Sequence, residues 1–452
     1  MKKVIAFLIS LVLIFGLAAC GGTGTDGDGN GNNSGGSDGQ EGNGDNAAGS
    51  NLDWSAGADA SGGEVTLRIA TWRQSDRPYY EEIISRFEET YDWITVDLDI
   101  NADSSSYYTN LQADLMSGTA PDVFDLHPSD RLLAYAQDGI IAPQTDFDYM
   151  ANYKEEAKKV TTINGVNYGY MNAYNYFGFI YNKKIFKAEG LEVPTTPEEF
   201  VAVVNKLKAA GYGGVVYAGR TYGSTALGSA AFLSRMGTEA YTAMQEGIDN
   251  GSVTDLSTVD GVADALDTLQ FYTSNEIYYN AYESIDYDAG MSLFAQEKSA
   301  IIYSGSYALG EKATYFPDID AGYFTLPVYG GTGVSYGEGA QTSAINVASK
   351  NLGAAKLWIE FLATAEMSEY FCSNAKMLST IEGANVAFDE MEMLLSSSNG
   401  FALKQIVEPE HSEYWSSGYT KIMDGVVFDG EEWASLVKVY KSKLEEYDLA
   451  NQ

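Results

Sequence analysis

From position 64 onward the apolar positions recur with two alternating periods. In "EVTLRIATW", Val65, Leu67 and Ile69 fall on every second residue, the spacing of a strand. In "QSDRPYYEEIISRFEETY", Tyr80, Ile83, Ile84 and Phe87 sit at i, i+3, i+4 and i+7, so they share one helix face. Ser75 or Asp76 can cap that helix, Pro78 suits its first turn, and Glu81 and Glu82 favour its positive end. The same exchange of periods continues. "WITVDLDI" reads as a strand, "YYTNLQADLMSG" as a helix stopped by Gly118, "PDVFDLH" as a third strand, and "SDRLLAYAQDG" as a helix stopped by Gly139. Strands that alternate with helices predict an α/β fold with a parallel sheet covered on both faces.

Further along, "GVNYGYMNAYNYFGFIYNKKIF" reads as strand, Tyr/Asn-rich crossing and strand. "TTPEEFVAVVNKLKAAG" reads as a helix capped by Thr196 and stopped by Gly211. The pattern over 224–296 is mostly helical. "SAIIYSGSYALG" predicts strand, turn and helix, and "NLGAAKLWIEFLAT" a helix with Ala354, Leu357, Trp358, Phe361 and Leu362 on one face. The stretch between them is Gly-rich and extended, with a strand near 343–348. The C-terminal region is read as helical, ending with 433–449. No repeat of fixed period occurs. The body, about 390 residues, exceeds what one core usually serves, and no Pro- or Ser-rich linker divides it. Two lobes joined by several chain crossings are therefore expected.

The start of the chain follows other rules. Lys2 and Lys3 precede an apolar run over 4–17, then Ala18, Ala19 and Cys20, the order of a secretory signal. The run is shorter than the roughly 20 residues of a membrane span. Leu17, Ala18, Ala19 and Cys20 resemble the bacterial lipobox, which implies cleavage before Cys20 and diacylation of its thiol; two acyl chains make a stable anchor. Residues 21–63 are mostly Gly, Asn, Ser and Asp with no Lys or Arg, a composition read as unable to bury enough surface to fold and as a flexible tether. "DGDGNG" supplies the first half of a calcium loop, but position 12 falls on Ser37 and no helix flanks it, so a solvated tether is the expectation. Of the two cysteines, Cys372 then has no partner in the chain and reads as a small buried core residue. The net charge of −36 repels nucleic acid and anionic membrane surfaces and is compatible with neutral or cationic ligands.

Several segments together, "VTLRIATW", "GTAPDVFDLHPSDRLLAYAQDG", "GFIYNKKIF", "PTTPEEF", "FAQEKSAIIYSGSYALG" and "AINVASKNLGAAKLWIEFLATAE", resemble the extracellular solute-binding proteins of ABC importers. The likeness is to the carbohydrate-binding, maltose-binding-protein-like family and spans most of 64–449. It implies a two-lobe, type II periplasmic-binding-protein-like α/β fold with an interlobe cleft and three hinge crossings. Lobe one is expected at 64–171 plus 329–364, and lobe two at 172–328 plus 365–452. The resemblance also implies a monomer without cofactor that closes on its solute and presents the closed form to a permease. Lipobox and tether suit Gram-positive members, which hold the binding protein on the outer face of the cell membrane.

Sugars offer C–H faces that stack on aromatic rings and hydroxyls that need polar side chains. The chain has 33 Tyr and 6 Trp. Trp72, with Arg73 beside it, ends the first strand and reads as a stacking platform or a packing residue. From the resemblance, Asp125, His127, Asp130 and Arg131 are expected at the ligand after the third strand. Asn172, Tyr174 and Asn175 face the cleft or pack as core residues of a crossing strand. Tyr307, flanked by Ser304 and Ser306, falls where relatives often hold a stacking Trp. Tyr222, Tyr414 and Trp415 match late aromatic contacts, and Tyr336 and Glu338 lie in a Gly-rich loop assigned to lobe one.

Other chemistries are weaker fits. Ser335 in "GVSYG" fits G-x-S-x-G, but that motif needs a strand before the serine and a helix after it, and a loop is expected here. His127 and His411 are the two histidines and lie far apart, so a His/Cys metal site is not expected. A cation such as a polyamine suits an aromatic box with carboxylates. A surface glycosidase needs only two carboxylates, and the chain has 63 acids. The leading expectation is a non-catalytic sugar or oligosaccharide receptor.

Overall fold

A computed structural model describes residues 52–388 and 401–403, apart from 102, 103, 129, 223, 224 and 332. The expectations for Cys20, the acidic run over 26–37, His411, Tyr414, Trp415 and the helix at 433–449 lie outside the described residues.

The chain opens with β1 (Val65–Thr71), α1 (Arg77–Thr90), β2 (Ile94–Ile100), α2 (Ser104–Ser117), β3 (Val123–Leu126) and α3 (Asp130–Gln137). Then come α4 (Glu155–Thr161), the two-residue strands β4 (Thr162–Ile163), β5 (Val166–Asn167) and β6 (Tyr170–Met171), and the long β7 (Ala173–Asn182). A helical stretch follows: α5 (Lys183–Glu189), α6 (Pro197–Ala209), α7 (Gly219–Tyr222), α8 (Thr225–Asp249), α9 (Val262–Ser274) and α10 (Tyr287–Ala295). The chain continues through β8 (Ile301–Gly305), α11 (Tyr307–Gly310), α12 (Lys312–Tyr315), β9 (Ala321–Phe324), β10 (Ser335–Gly339) and β11 (Thr342–Ile345). It finishes with α13 (Leu352–Leu362), α14 (Ala365–Ala375), β12 (Leu378–Ser379) and β13 (Phe401–Leu403).

Local chemistry explains the punctuation. Thr196 accepts from the Glu199 amide while Glu199 reaches back to the cap, a full capping box before Pro197. Gly118, Gly139 and Gly211 take φ of 73, 67 and 97°, where a side chain would be strained, and each follows a helix as its spacing predicts. Asp76 precedes α1 without capping it; its carboxylate pairs with Arg73 instead.

Two main sheets carry the lobes. Sheet one has the order β2-β1-β3-β11-β6, with β2, β1 and β3 parallel and β11 antiparallel to both its neighbours. Sheet two runs β12-β7-β10-β13, with β8 and β9 also paired to β7. Every partner of β7 is antiparallel to it, unlike the all-parallel expectation. β7 is the strand that enters from the other lobe, and it runs against all four of its neighbours. Each sheet separates two apolar cores, as alternation of side chains dictates. Leu67 and Ile69 face one core and Ala70 another; Phe177 and Phe179 face a third, and Tyr176 and Ile180 a fourth.

Three passages link the lobes. The first lies at Asn172, between β6 of sheet one and β7 of sheet two. The second lies at Ala340 and Gln341, between β10 of sheet two and β11 of sheet one. They are bonded together: the Asn172 amide donates to the Gln341 carbonyl, and the Ala340 amide to the Ala173 carbonyl, each at 2.9 Å. The third leads from α14 to β12. These passages move two expected boundaries. β10 was placed with lobe one and belongs to sheet two, so the chain crosses near 340 and not at 329. α14 was placed with lobe two, yet Met367, Phe371 and Cys372 are buried in the lobe-one core with Trp358 and Phe87.

Candidate functional site

The strand ends of sheet one build an aromatic stack. Trp72 follows β1 and His127 follows β3, and their rings lie parallel at 4.3 Å with a 12° interplanar angle. Tyr107 and Tyr108 of α2 close against Trp72 at 5.3 and 5.8 Å. The Tyr108 hydroxyl accepts from the His127 amide at 2.8 Å and bonds its Nδ1 at 2.7 Å. The guanidinium of Arg131, in the first turn of α3, lies 3.9 Å from the Tyr108 ring centroid. Asp130 opens the same helix.

Beneath this stack sits a buried polar chain. Asp125 accepts from Ser343 Oγ at 2.7 Å and from the Tyr80 hydroxyl at 3.1 Å, and the amide head of Asn172 lies against Ser343 Oγ at 3.2 Å. Burial raises the Asp125 carboxyl above its ordinary range, and its hydroxyl donors pull it back. Asp125 and Asn172 are thus joined to each other through Ser343, under the first crossing.

Sheet two contributes a cluster of phenols. Tyr307 follows β8 at the start of α11, and its hydroxyl bonds that of Tyr222 at 2.7 Å. Tyr222 also meets Ser304 Oγ at 3.2 Å. Phe177 of β7 supports both tyrosine rings edge-on at 6.1 Å and packs on Tyr336 at 5.3 Å. Tyr336 and Glu338 lie on β10, paired to Phe177 and Asn175, and not in a lobe-one loop. Long-range pairing with β7 turns this Gly-rich stretch into a strand. Ser335 opens that strand and is buried, so no strand–serine–helix elbow exists there. Tyr336 is buried and donates to Glu338 at 2.6 Å. Ser306 Oγ, Asn175 Oδ1 and the Tyr174 hydroxyl are buried without a hydrogen-bond partner among the described residues.

Arg73 joins the two groups. It follows Trp72 and is ion-paired with Asp76 at 2.6 Å, and its guanidinium lies 5.8 Å from the Tyr307 ring centroid. Glu311, one turn beyond Tyr307, accepts from the Tyr287 hydroxyl. Burial pushes the Glu311 carboxyl up, while Arg73 and hydrogen bonds from Tyr287 and Ser75 lower it. The structure therefore brings Trp72, Arg73, His127 and Arg131 together on one wall, and Tyr222, Ser304 and Tyr307 on the other. Glu311, Tyr287 and Tyr108 were not anticipated; the i+4 spacing of Glu311 from Tyr307 was the available signal. A separate cavity of about 470 Å³ borders the first crossing on the Tyr174 and Tyr176 side. Of the anticipated residues it takes Tyr174 and Asn175, beside Lys154 and Ser379. Among the described residues, no group of three or more His, Cys, Asp or Glu side chains is placed to hold a metal.

Known proteins place this architecture. A family model described as bacterial extracellular solute-binding protein matches residues 70–369. The multiple sugar-binding protein of Streptococcus mutans is 25% identical over 312 residues, which is 68% of this chain and 73% of that protein. The solved structure of RafE in complex with raffinose superposes with a TM-score of 0.64 at 20% identity, covering 83% of this chain and 98% of that one. The GacH receptor of Streptomyces glaucescens, solved unliganded and with acarbose, gives 0.68 at 16% identity over 84% and 99%. The fold is thus the type II solute-binding fold. With a match over well more than half its length, the chain belongs to the bacterial extracellular solute-binding proteins.

Proposed function

We propose that the protein is a lipid-anchored receptor that captures a sugar or oligosaccharide between its lobes and hands it to the permease of an ABC importer. The observation that carries this reading is the approach of Arg73, next to Trp72 at the end of β1, to Tyr307 of the second lobe, whose hydroxyl is bonded to that of Tyr222. Flat rings and oriented hydroxyls from opposite walls are what a pyranose needs: C–H faces stack and ring hydroxyls exchange hydrogen bonds. The multiple sugar-binding protein and the raffinose complex of RafE support sugar as the solute class. Ser306 Oγ, next to Tyr307, is buried with no hydrogen-bond partner among the described residues and is available to a ligand hydroxyl. The receptor acts as a monomer, without cofactor and without changing its solute. Cys20 carries the lipid, and the residues from 21 on space the body from the outer face of a Gram-positive membrane. The tether is shorter than the expected 21–63, because Leu52 and Trp54 pack on the lobe-one core, Trp54 meets Phe147 at 5.1 Å and the Ala56 carbonyl accepts from the Gly353 amide at 2.8 Å.

Calorimetry of the tetherless body against a panel of oligosaccharides tests the reading. At least one sugar is expected to bind, with affinity lowered about tenfold or more in Trp72→Ala and in Tyr307→Ala. Full affinity in both variants would remove these rings from the site. Recovery of the bound sugar with altered linkage would make the protein a glycosidase instead. For the anchor, Cys20→Ser is expected to abolish palmitate labelling and release the body into the medium; labelling that persists refutes it.

A further inference from the structure

Two carboxylates flank the Tyr222–Tyr307 hydroxyl pair. Glu311 lies one turn after Tyr307, its amide donating to the Tyr307 carbonyl at 3.0 Å, and its carboxylate is held by Tyr287, whose ring is 5.9 Å from that of Tyr307. Glu338 approaches from β10. It is held by Tyr336, which packs on Phe177, the ring that supports both Tyr222 and Tyr307. Both carboxylates act on the two phenols. Burial, with Glu311 and Glu338 adding to it, pushes Tyr222 up to about 12 and Tyr307 higher still.

The cation that reaches this pair is already matched. Arg73 is ion-paired with Asp76 at 2.6 Å, and the two side chains are only 11% and 4% exposed. Arg73 therefore stands against two carboxylates, Asp76 and Glu311, and Glu338 adds a third negative group beside the same phenols. Arg131 sits on the opposite platform, over Tyr108. Hydrogen-bond counting points the same way. An ionised carboxylate only accepts and has about four acceptor sites, of which Tyr287 and Ser75 fill two at Glu311 and Tyr336 fills one at Glu338. Sugar hydroxyls and ammonium groups can donate to the sites that remain, and a second carboxylate cannot.

We infer that Glu311 and Glu338 set the charge selectivity of the cleft: they admit neutral and amino-bearing sugars and reject sugars that carry a carboxylate. This inference rests on the sugar reading above and deepens it. The repulsion acts between partly buried like charges, where screening is weak and juxtaposition is costly.

Matched pairs of oligosaccharides test it by calorimetry on the tetherless body. The probes are cello-, xylo-, malto- and galacto-trisaccharides with their C6-carboxylated counterparts wherever the sugar has a C6 hydroxyl. N-acetylated chitotriose with its de-N-acetylated form supplies the neutral and amino-bearing pair. Neutral members are expected to bind at least about tenfold tighter than carboxylated partners of the same linkage, with amino-bearing partners retained. In Glu311→Gln and in Glu338→Gln that ratio is expected to shrink, and in the double variant to fall to about threefold or less. Glu311→Asp, which keeps the charge, is expected to preserve the ratio and so separates charge from shape. A carboxylated sugar that binds as well as its neutral partner, or a ratio unmoved in all the Gln variants, overturns the inference and leaves the sugar reading standing. No binding by any member overturns both. Binding of spermidine in place of every sugar also ends the sugar reading, and the site then takes a polyamine.

Discussion

The ring of Tyr307 packs against three of the four apolar cores, including both cores of its own lobe and one across the crossing. Its hydroxyl, by contrast, is held by Tyr222. A side chain anchored this way keeps its orientation as the surroundings move, which is what a stacking platform requires. Its position was legible from "YSGSY", because a strand that ends in small residues leaves the next aromatic at the strand's end. The use of Asp76 was not legible. As a helix-start residue it read as a cap, and only the fold brings the Arg73 side chain back onto it. Cys372 is the clearest residue-scale reading to survive. Its thiol is fully buried among Phe371, Met367 and Trp358, and burial pushes it up to about 12. At pH 8 the thiolate fraction is then negligible, and an uncharged thiol in a closed core does not react. Titration with a chromogenic disulfide reagent is expected to show no reaction in buffer and one reactive thiol in 8 M urea for a body that begins after Cys20. Rapid labelling in buffer would mean that the core around α14 opens.

Helices were read well at the scale of elements and strand directions were not, for one physical reason. A helix closes its hydrogen bonds within a few residues, so caps such as Thr196 and stops such as Gly118 are written locally. A strand's partner lies anywhere in the chain. Nothing near "GVSYGEG" announces that it pairs with Tyr174, Tyr176 and Phe177 some 160 residues earlier. The apolar face of α13 shows a milder version: Ala354, Trp358 and Leu362 are buried as read, Leu357 and Phe361 pack half-buried on the same core, and Ala355 and Ile359 widen the buried face beyond the reading. β7 carries the heaviest demand, with four strands paired along its ten residues. At Gly178 a Cβ would fall 2.3 Å from the Tyr323 hydroxyl and 2.6 Å from the Phe324 carbonyl oxygen. The second contact is backbone of a paired strand and cannot rotate away. Gly178→Ala is therefore expected to destabilise the body by about 1–3 kcal/mol, read as a lower urea midpoint at unchanged slope. An unchanged midpoint would mean that β7 and β9 separate at little cost.

For the molecule as a whole, the two crossings that bond to each other matter most. Asn172 and Gln341 connect the sheets through neighbouring backbone segments, so relative motion of the lobes concentrates there. Directly below lies the chain Tyr80–Asp125–Ser343–Asn172, which ties α1, β3 and β11 to the crossing. A solute that engages Trp72 on one side and Tyr307 on the other gains both contacts only when the walls approach, so its binding energy is coupled to the lobe angle. Two consequences follow for scattering from the tetherless body. A saturating oligosaccharide identified by calorimetry is expected to lower the radius of gyration. The same sugar at a concentration that still saturates Tyr307→Ala is expected to lower it less, because one wall no longer rewards closure. The comparison at full occupancy is the decisive part, since it separates a weaker hold from a looser jaw. Equal compaction in wild type and variant would show that closure is driven from elsewhere along the cleft. No compaction in either would mean that capture takes place on lobes already in their final position, and the coupling between ring contact and lobe angle would then be absent.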